Sequence, residues 1–308
     1  MKQLHGIIPP VITPLTPRGE LDPAGLERLL EHIIAGGVHG LFILGSTGEG
    51  PAIGPRRQRQ MIEESCRIVR RRIPVLVGIS SAALDRSIEL ADIACAAGAD
   101  YLVSAPPCYF NCGMPEVIDF FESLAARTRL PLLLYNMPSM TKVNITPATV
   151  AALARNPRIA GYKDSSGNMC ELHEVIQMLG DRQDFSIFVG PEELLGEAVL
   201  FGADGGVSGG ANLTPQLFVR MYDAARKGDA AEMRECQRLI YRQRRIYSLG
   251  RFQSSMIKGV KSALSLRGIC SDTMVEPFHR FDAAEKRKVG EILRQLDESL
   301  TAELLAAL

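Results

Sequence analysis

The feature that most constrains this chain is an alternation, repeated eight times, of a short unbroken apolar run with an amphipathic stretch of helical period. The apolar runs occupy 6–15, 40–45, 74–80, 99–105, 130–136, 159–164, 185–190 and 205–209. They are short, rich in β-branched residues and continuously apolar. Strands of a parallel sheet covered on both faces have this pattern, whereas a strand with one wet face would alternate. Between them, Leu26, Leu29, Leu30, Ile33 and Ile34 form one helical stripe, and Val117, Phe121, Leu124 and Ala125 form another. Asp22-Pro23, Thr146-Pro147 and Thr214-Pro215 each set a capping side chain before a proline at the first helical position. Gly36-Gly37, Gly98 and Gly180 stand where helices should stop.

Eight strand–helix units favour a closed barrel over an open doubly wound sheet. A dinucleotide-binding sheet would need GxGxxG after its first strand, and here that strand runs into Thr13-Pro14-Leu15-Thr16-Pro17. From Thr214 onward only helical stretches follow, at 215–227, 230–249, 253–267 and 282–306. The expectation is an α/β fold, a (β/α)8 TIM barrel in residues 1–213 carrying the active site. A C-terminal α-helical extension over 214–308 follows it.

Composition excludes several classes of function. The 308 residues carry 35 Lys+Arg against 35 Asp+Glu, so no charge excess points to nucleic acid or an anionic membrane. The basic run from Arg67 to Arg72 closes an amphipathic segment and reads as a solvated helix end. No apolar run approaches the length of about 18 residues that spans a bilayer. The seven cysteines include no CxxC pair, and Cys108 and Cys112 lack a second pair of ligands, so no metal site is expected. An odd cysteine count without a secretory apolar segment suggests a cytoplasmic protein. His5, His32, His39, His173 and His279 form no motif.

In such barrels, chemistry sits at the C-terminal ends of the strands. Four of these ends are polar in an informative way: Gly45-Ser46-Thr47-Gly48-Glu49-Gly50, Pro106-Pro107-Cys108-Tyr109-Phe110, Tyr135-Asn136-Met137-Pro138-Ser139 and Tyr162-Lys163-Asp164-Ser165-Ser166-Gly167. A lysine at the inner end of an apolar strand is costly to keep charged, so some of Lys163 should be neutral amine able to attack a ketone. The competing reading pairs Lys163 with Asp164 at the barrel mouth. The loop 45–50 offers clustered N–H groups and two hydroxyls, suited to a carboxylate or phosphate. It is not a Walker loop, and it also reads as a plain tight turn. Tyr135 and Tyr109 are acid/base candidates, or simply packed tyrosines.

Together these segments resemble the family of dihydrodipicolinate synthase and N-acetylneuraminate lyase, the pyruvate-dependent class I aldolases. The resemblance runs the length of the chain, through GIIPPVITP, GSTGEG, YNMPS, GYKDSSGN and GADGGVSGG. It implies a Schiff base on Lys163 and proton transfer by Tyr135. It also implies that Ser46 links Tyr135 to Tyr109, the latter reaching into a neighbouring subunit's site. Ser46 and Thr47 would hold the substrate carboxylate, and Gly190 and Val207 would line the pocket. No cofactor beyond the covalent lysine imine is expected. The resemblance further implies a homotetramer built as a dimer of dimers.

Two departures bear on the substrate. The family's synthases carry YNxPSRT, whose arginine binds the aldehyde's carboxylate, and here that position is Met140. A thioether cannot replace a bidentate, charge-assisted contact. Cys108 stands where the family has the first of two tyrosines. Glu192, in Gly190-Pro191-Glu192-Glu193, is placed either to contact sugar hydroxyls or simply to start a helix. These residues favour cleavage or condensation of a 2-oxo-3-deoxy sugar acid, to or from pyruvate and an aldehyde. The alternatives are 4-hydroxy-tetrahydrodipicolinate synthase, a 2-oxo-3-deoxy acid dehydratase and N-acetylneuraminate lyase. Two readings from other classes are a pyridoxal-phosphate barrel holding phosphate at 205–210 and a non-catalytic 2-oxo-acid sensor.

Overall fold

The computed structural model describes residues 4–306. Its strands are β1 (Gly6–Ile7), β2 (Leu41–Ile43), β3 (Val75–Gly78), β4 (Tyr101–Ser104), β5 (Leu132–Asn136), β6 (Ile159–Asp164), β7 (Ser186–Val189) and β8 (Gly205–Gly206). All pair in parallel, in the order β1-β8-β7-β6-β5-β4-β3-β2. The two ends of that order meet through a parallel bridge between Pro10 and Phe42. There the Phe42 N–H donates to the Pro9 carbonyl at 2.9 Å and the Val11 N–H to the Phe42 carbonyl at 2.8 Å. With helices between the strands, the arrangement matches a (β/α)8 TIM-barrel-like fold.

The first strand is much shorter than the apolar run 6–15 suggests. Pro9, Pro10 and Pro14 supply no N–H, so a regular ladder cannot continue through them. The buried Asn212 substitutes for the ladder. Its carbonyl accepts from the Ile12 N–H at 3.1 Å, and its amide donates to the carbonyls of Pro10 and Gly209 at 2.9 and 2.8 Å.

The helices follow the expected stripes. In Pro23–Ala35 the residues Leu26, Leu29, Leu30 and Ile33 are buried, and the Asp22 carboxylate caps the Gly25 N–H at 3.0 Å. Thr146 caps Pro147–Leu153 through the Thr149 N–H at 3.3 Å. Pro215–Lys227 starts where expected but lacks its predicted cap, because the Thr214 hydroxyl turns away to donate to Gln243 Oε1 at 2.5 Å. That helix follows β8 and packs beside Leu195–Leu200 and β1. After it come Ala230–Arg244, Ser255–Leu266 and Ala283–Ala306. Arg67 is exposed and paired with Glu64 at 2.7 Å, as a solvated helix end requires. Among the described residues, no helix is long and apolar enough to cross a membrane.

Apolar packing falls into two clusters. The larger lies between sheet and helices and continues under the C-terminal helices. The smaller, with Ile8, Phe42, Leu76, Val103, Leu133, Tyr135, Phe188 and Val207, is contributed by side chains facing one another across the strands. The candidate site caps this second cluster.

Candidate active site

Lys163 lies on β6 directly across from Tyr135 on β5, and on its other side from Phe188 on β7. Only 5% of the lysine is exposed. Its Nζ stands 3.9 Å from the centroid of the Tyr135 ring and 4.9 Å from that of Phe42, so two aromatic faces solvate the ammonium in place of water. Burial pushes the lysine below its ordinary value, against the opposing pull of Tyr135. Burial alone would raise the Tyr135 phenol, but the neighbouring ammonium and the hydroxyls of Ser46 and Ser165 outweigh it and bring the phenol down. The two groups thus approach each other in proton affinity, which is the condition for passing a proton between them.

Asp164 does not neutralise this lysine. Successive strand residues point to opposite faces, and the Asp164 carboxylate is held on the other face by donors from three side chains. Asn136 and Tyr162 donate to Oδ1 at 2.9 and 3.0 Å, and Ser166 donates to Oδ2 at 2.8 Å. Asn136 is itself anchored, donating to Asn144 Oδ1 at 2.9 Å and accepting from the Ile145 N–H at 3.0 Å. Among the described residues, no carboxylate lies within ion-pair distance of Lys163. The paired-lysine reading is therefore overturned by the pleat of β6.

The loop 45–50 packs tightly against the neighbouring strand ends. A Cβ on Gly50 would lie 1.9 Å from the Leu44 carbonyl oxygen, and one on Gly48 would lie 2.7 Å from that of Val11. Leu44 and Glu49 both take left-handed backbone at φ 57°, a costly conformation that concentrates at functional sites. Ser46 Oγ lies 3.4 Å from the Tyr135 hydroxyl. Among the described residues the N–H groups of Ser46 and Thr47 have no hydrogen-bond acceptor, while Glu49 and Gly50 donate back into the turn. The loop, which meets Tyr135 through Ser46, therefore carries backbone donors of the kind an anion-binding nest uses. Gly190 makes room on the other side: a Cβ there would fall 1.9 Å from Ser165 Oγ, one of the hydroxyls acting on Tyr135. Val207 is buried in the inner cluster beneath.

The model of the dihydrodipicolinate synthetase family matches residues 3–296. The chain belongs to that family. Among its relatives is the probable 2-dehydro-3-deoxy-D-pentonate aldolase YjhH of Escherichia coli K12, 33% identical over 90% of this chain and 92% of that protein. The solved dihydrodipicolinate synthase of Bacteroides thetaiotaomicron is 49% identical with a TM-score of 0.92, covering 95% of this chain and 98% of that one. YagE of E. coli K12, solved in complex with pyruvate, is 33% identical with a TM-score of 0.90 over 95% and 98% of the two chains. As a dihydrodipicolinate synthetase family member, the chain is a lyase-type enzyme.

Among the described residues, three of the expected site residues make no hydrogen bond or ring contact with Lys163, Tyr135 or Ser46. Tyr109 is 82% exposed on the loop after β4, its ring stacked edge-on against Phe110 with centroids 5.2 Å apart. Met140 is 44% exposed on the short helix Pro138–Thr141 that follows β5. Glu192 is buried, and its Oε2 accepts from the Gly210 N–H at 2.6 Å. Desolvation raises its carboxyl to about 7, against the Gly210 N–H and the nearby Tyr247 hydroxyl, which lower it.

Phe42, Asn136 and Ser165 belong to the site although sequence reasoning gave them no role. Asn136 and Ser165 sit inside quoted motifs, yet only the register of β5 against β6 shows what they touch. Phe42 carries no signal at all, because an unbroken apolar strand does not disclose which residues face the barrel interior.

Proposed function

We propose that this enzyme is a class I aldolase acting on a 2-oxo-3-deoxy sugar acid. The observation that carries this reading is the buried Lys163 amine, seated on the Tyr135 ring without a carboxylate to pair it. In the cleavage direction, neutral Lys163 attacks the C2 ketone, and loss of water leaves an iminium that withdraws electrons from C3. Tyr135, oriented by Ser46, takes the proton of the C4 hydroxyl as the C3–C4 bond breaks and the aldehyde departs. The resulting enamine is reprotonated at C3, and water hydrolyses the imine to release pyruvate and free lysine. In reverse, the same groups condense pyruvate with an aldehyde.

We assign the N–H groups of Ser46 and Thr47 to the carboxylate of the 2-oxo acid, and Gly190 and Val207 to its methyl end. The covalent imine takes the place of a cofactor. Tyr109, projecting on a loop away from its own Lys163, fits delivery into the site of a second subunit in a homotetramer arranged as a dimer of dimers. We further place the enzyme in the cytoplasm, in keeping with an odd number of cysteines and no disulfide among the described residues.

For the aldehyde half, Met140 supports a neutral, hydroxylated substrate over one bearing a second carboxylate. The synthase reaction is the second reading, favoured by the 49% identity to the Bacteroides thetaiotaomicron protein of that name. Borohydride reduction in the presence of pyruvate should leave one stable adduct on Lys163, and an unmodified lysine in active protein would overturn the mechanism. A panel of 2-oxo-3-deoxy acids, sialic acid and aspartate semialdehyde then separates the substrates. Preferential turnover of the semialdehyde would decide for the synthase.

A further inference from the structure

Glu49 and Lys261 form an ion pair with neither side chain exposed to solvent. Glu49 closes the loop that offers the Ser46 and Thr47 N–H groups. Lys261 lies far along the chain, on the C-terminal helix Ser255–Leu266. Lys261 Nζ also donates to the Thr273 carbonyl at 2.8 Å, and the second Glu49 oxygen accepts from the Val275 N–H at 2.8 Å. A single carboxylate thus ties the loop to a helix and to the segment after it.

Neither member is a choice that stability alone would favour. Removing two charges from water costs about as much as their attraction returns, and apolar residues of equal volume often pack as well. Glu49 also holds left-handed backbone that a glycine would accept without strain. The other anchors of the loop grip its carbonyls at Gly48 and Gly50: Thr13 Oγ1 donates to Gly48 O at 2.7 Å and Gln58 Nε2 to Gly50 O at 3.0 Å. None of them reaches toward the C-terminal helices. Among the described residues, Lys261 and the Val275 N–H, both acting on the Glu49 carboxylate, hold the loop from that side, one turn away from Ser46, whose carbonyl accepts the Glu49 N–H at 3.1 Å.

We propose that Lys261 is a positioning residue, which through Glu49 holds the loop 45–50 so that the Ser46 and Thr47 N–H groups converge on the carboxylate of the 2-oxo acid. This rests on the reading that the loop binds that carboxylate. The C-terminal helices then take part in substrate recognition without touching the substrate.

The test compares borohydride trapping of pyruvate with that of hydroxyacetone, a ketone of similar size whose carboxylate is replaced by a hydroxymethyl group. Two variants are used, Lys261→Met and the double variant Glu49→Gln with Lys261→Met. The double variant guards against misfolding, since it leaves no unpaired buried charge. The pyruvate concentration for half-maximal trapping should rise about tenfold in both, the size expected for loss of aligned donors to a charged group. Hydroxyacetone trapping, and the maximal adduct at saturating pyruvate, should stay as in the parent. Pyruvate trapping within about twofold of the parent in the double variant, or an equal loss for both ketones, would overturn the proposal. A parent enzyme that traps both ketones equally well would overturn the carboxylate reading of the loop, and the positioning role of Lys261 with it.

Discussion

Asn136 donates its side-chain amide to Asp164 at 2.9 Å, one residue beyond the point where Tyr135 faces Lys163 across the same two strands. Lys163 and Tyr135 project into the barrel, and the clamp that Asn136 forms on Asp164 lies on the other face. Because the pleat alternates, tightening one face sets the other. Asn136→Leu would leave Asp164 short of a donor and the Ile145 N–H unpaired, costing about 1–3 kcal/mol. The expected result is a lower melting temperature with a kcat reduced at unchanged KM for pyruvate. A stable variant with parental kcat would show that the clamp does not align the pair.

Tyr135→Phe keeps the aromatic face beneath Lys163 and removes only the hydroxyl that meets Ser46. Loss of a general acid/base costs roughly 10²–10⁴ in rate. Borohydride trapping of pyruvate should persist, because the amine that forms the imine remains. Single-turnover kinetics would separate the two steps, and loss of the adduct would place Tyr135 in imine formation instead.

Lys163 is held below its ordinary value by burial, so folding is opposed by its charge wherever the amine is protonated. A depressed lysine binds fewer protons folded than unfolded, so its contribution to stability improves as pH rises from the folded toward the unfolded value, near 10.5. Lys163→Met should therefore abolish activity yet raise the melting temperature at neutral pH, by an amount on the order of 1 kcal/mol in stability. The gain should shrink at high pH. Melting curves at two pH values check both parts.

Glu192 carries the opposite sign. Its carboxyl is raised from 4.5 to about 7, so the folded protein binds the extra proton between those values. That contribution is complete below about 4.5 and is lost as pH rises through about 7. Glu192→Gln should remove this dependence, leaving the variant more stable than the parent at pH above about 8 relative to the comparison near pH 5. Parallel denaturation curves at both pH values would show Glu192 to be ionised throughout.

Met140→Arg tests the aldehyde half. The side chain is 44% exposed, so a longer cationic residue fits without repacking a core. A bidentate contact to a carboxylate-bearing aldehyde should raise kcat/KM for aspartate semialdehyde by about tenfold while leaving pyruvate trapping unchanged. No shift in preference would remove Met140 from the specificity determinants.

The order of strands and helices was legible in the sequence because local rules govern it: unbroken apolar runs, capping residues and helical stripes all act within a few neighbours. Lys163, Tyr135 and Ser46 stood out as candidates for a related reason, since polar residues that interrupt apolar strands are visible one by one. What the sequence could not decide was which of two adjacent polar residues faces inward. The pleat of β6 sends Lys163 onto Tyr135 and Asp164 onto Asn136, and only cross-strand register determines that. Nor could it pair Glu49 with Lys261, or bring Phe42 beside the amine, because such contacts join segments far apart in the chain. Burial then did what local chemistry cannot: by excluding water it lowered the lysine and raised Glu192, setting the proton affinities of residues whose identities alone left them ordinary.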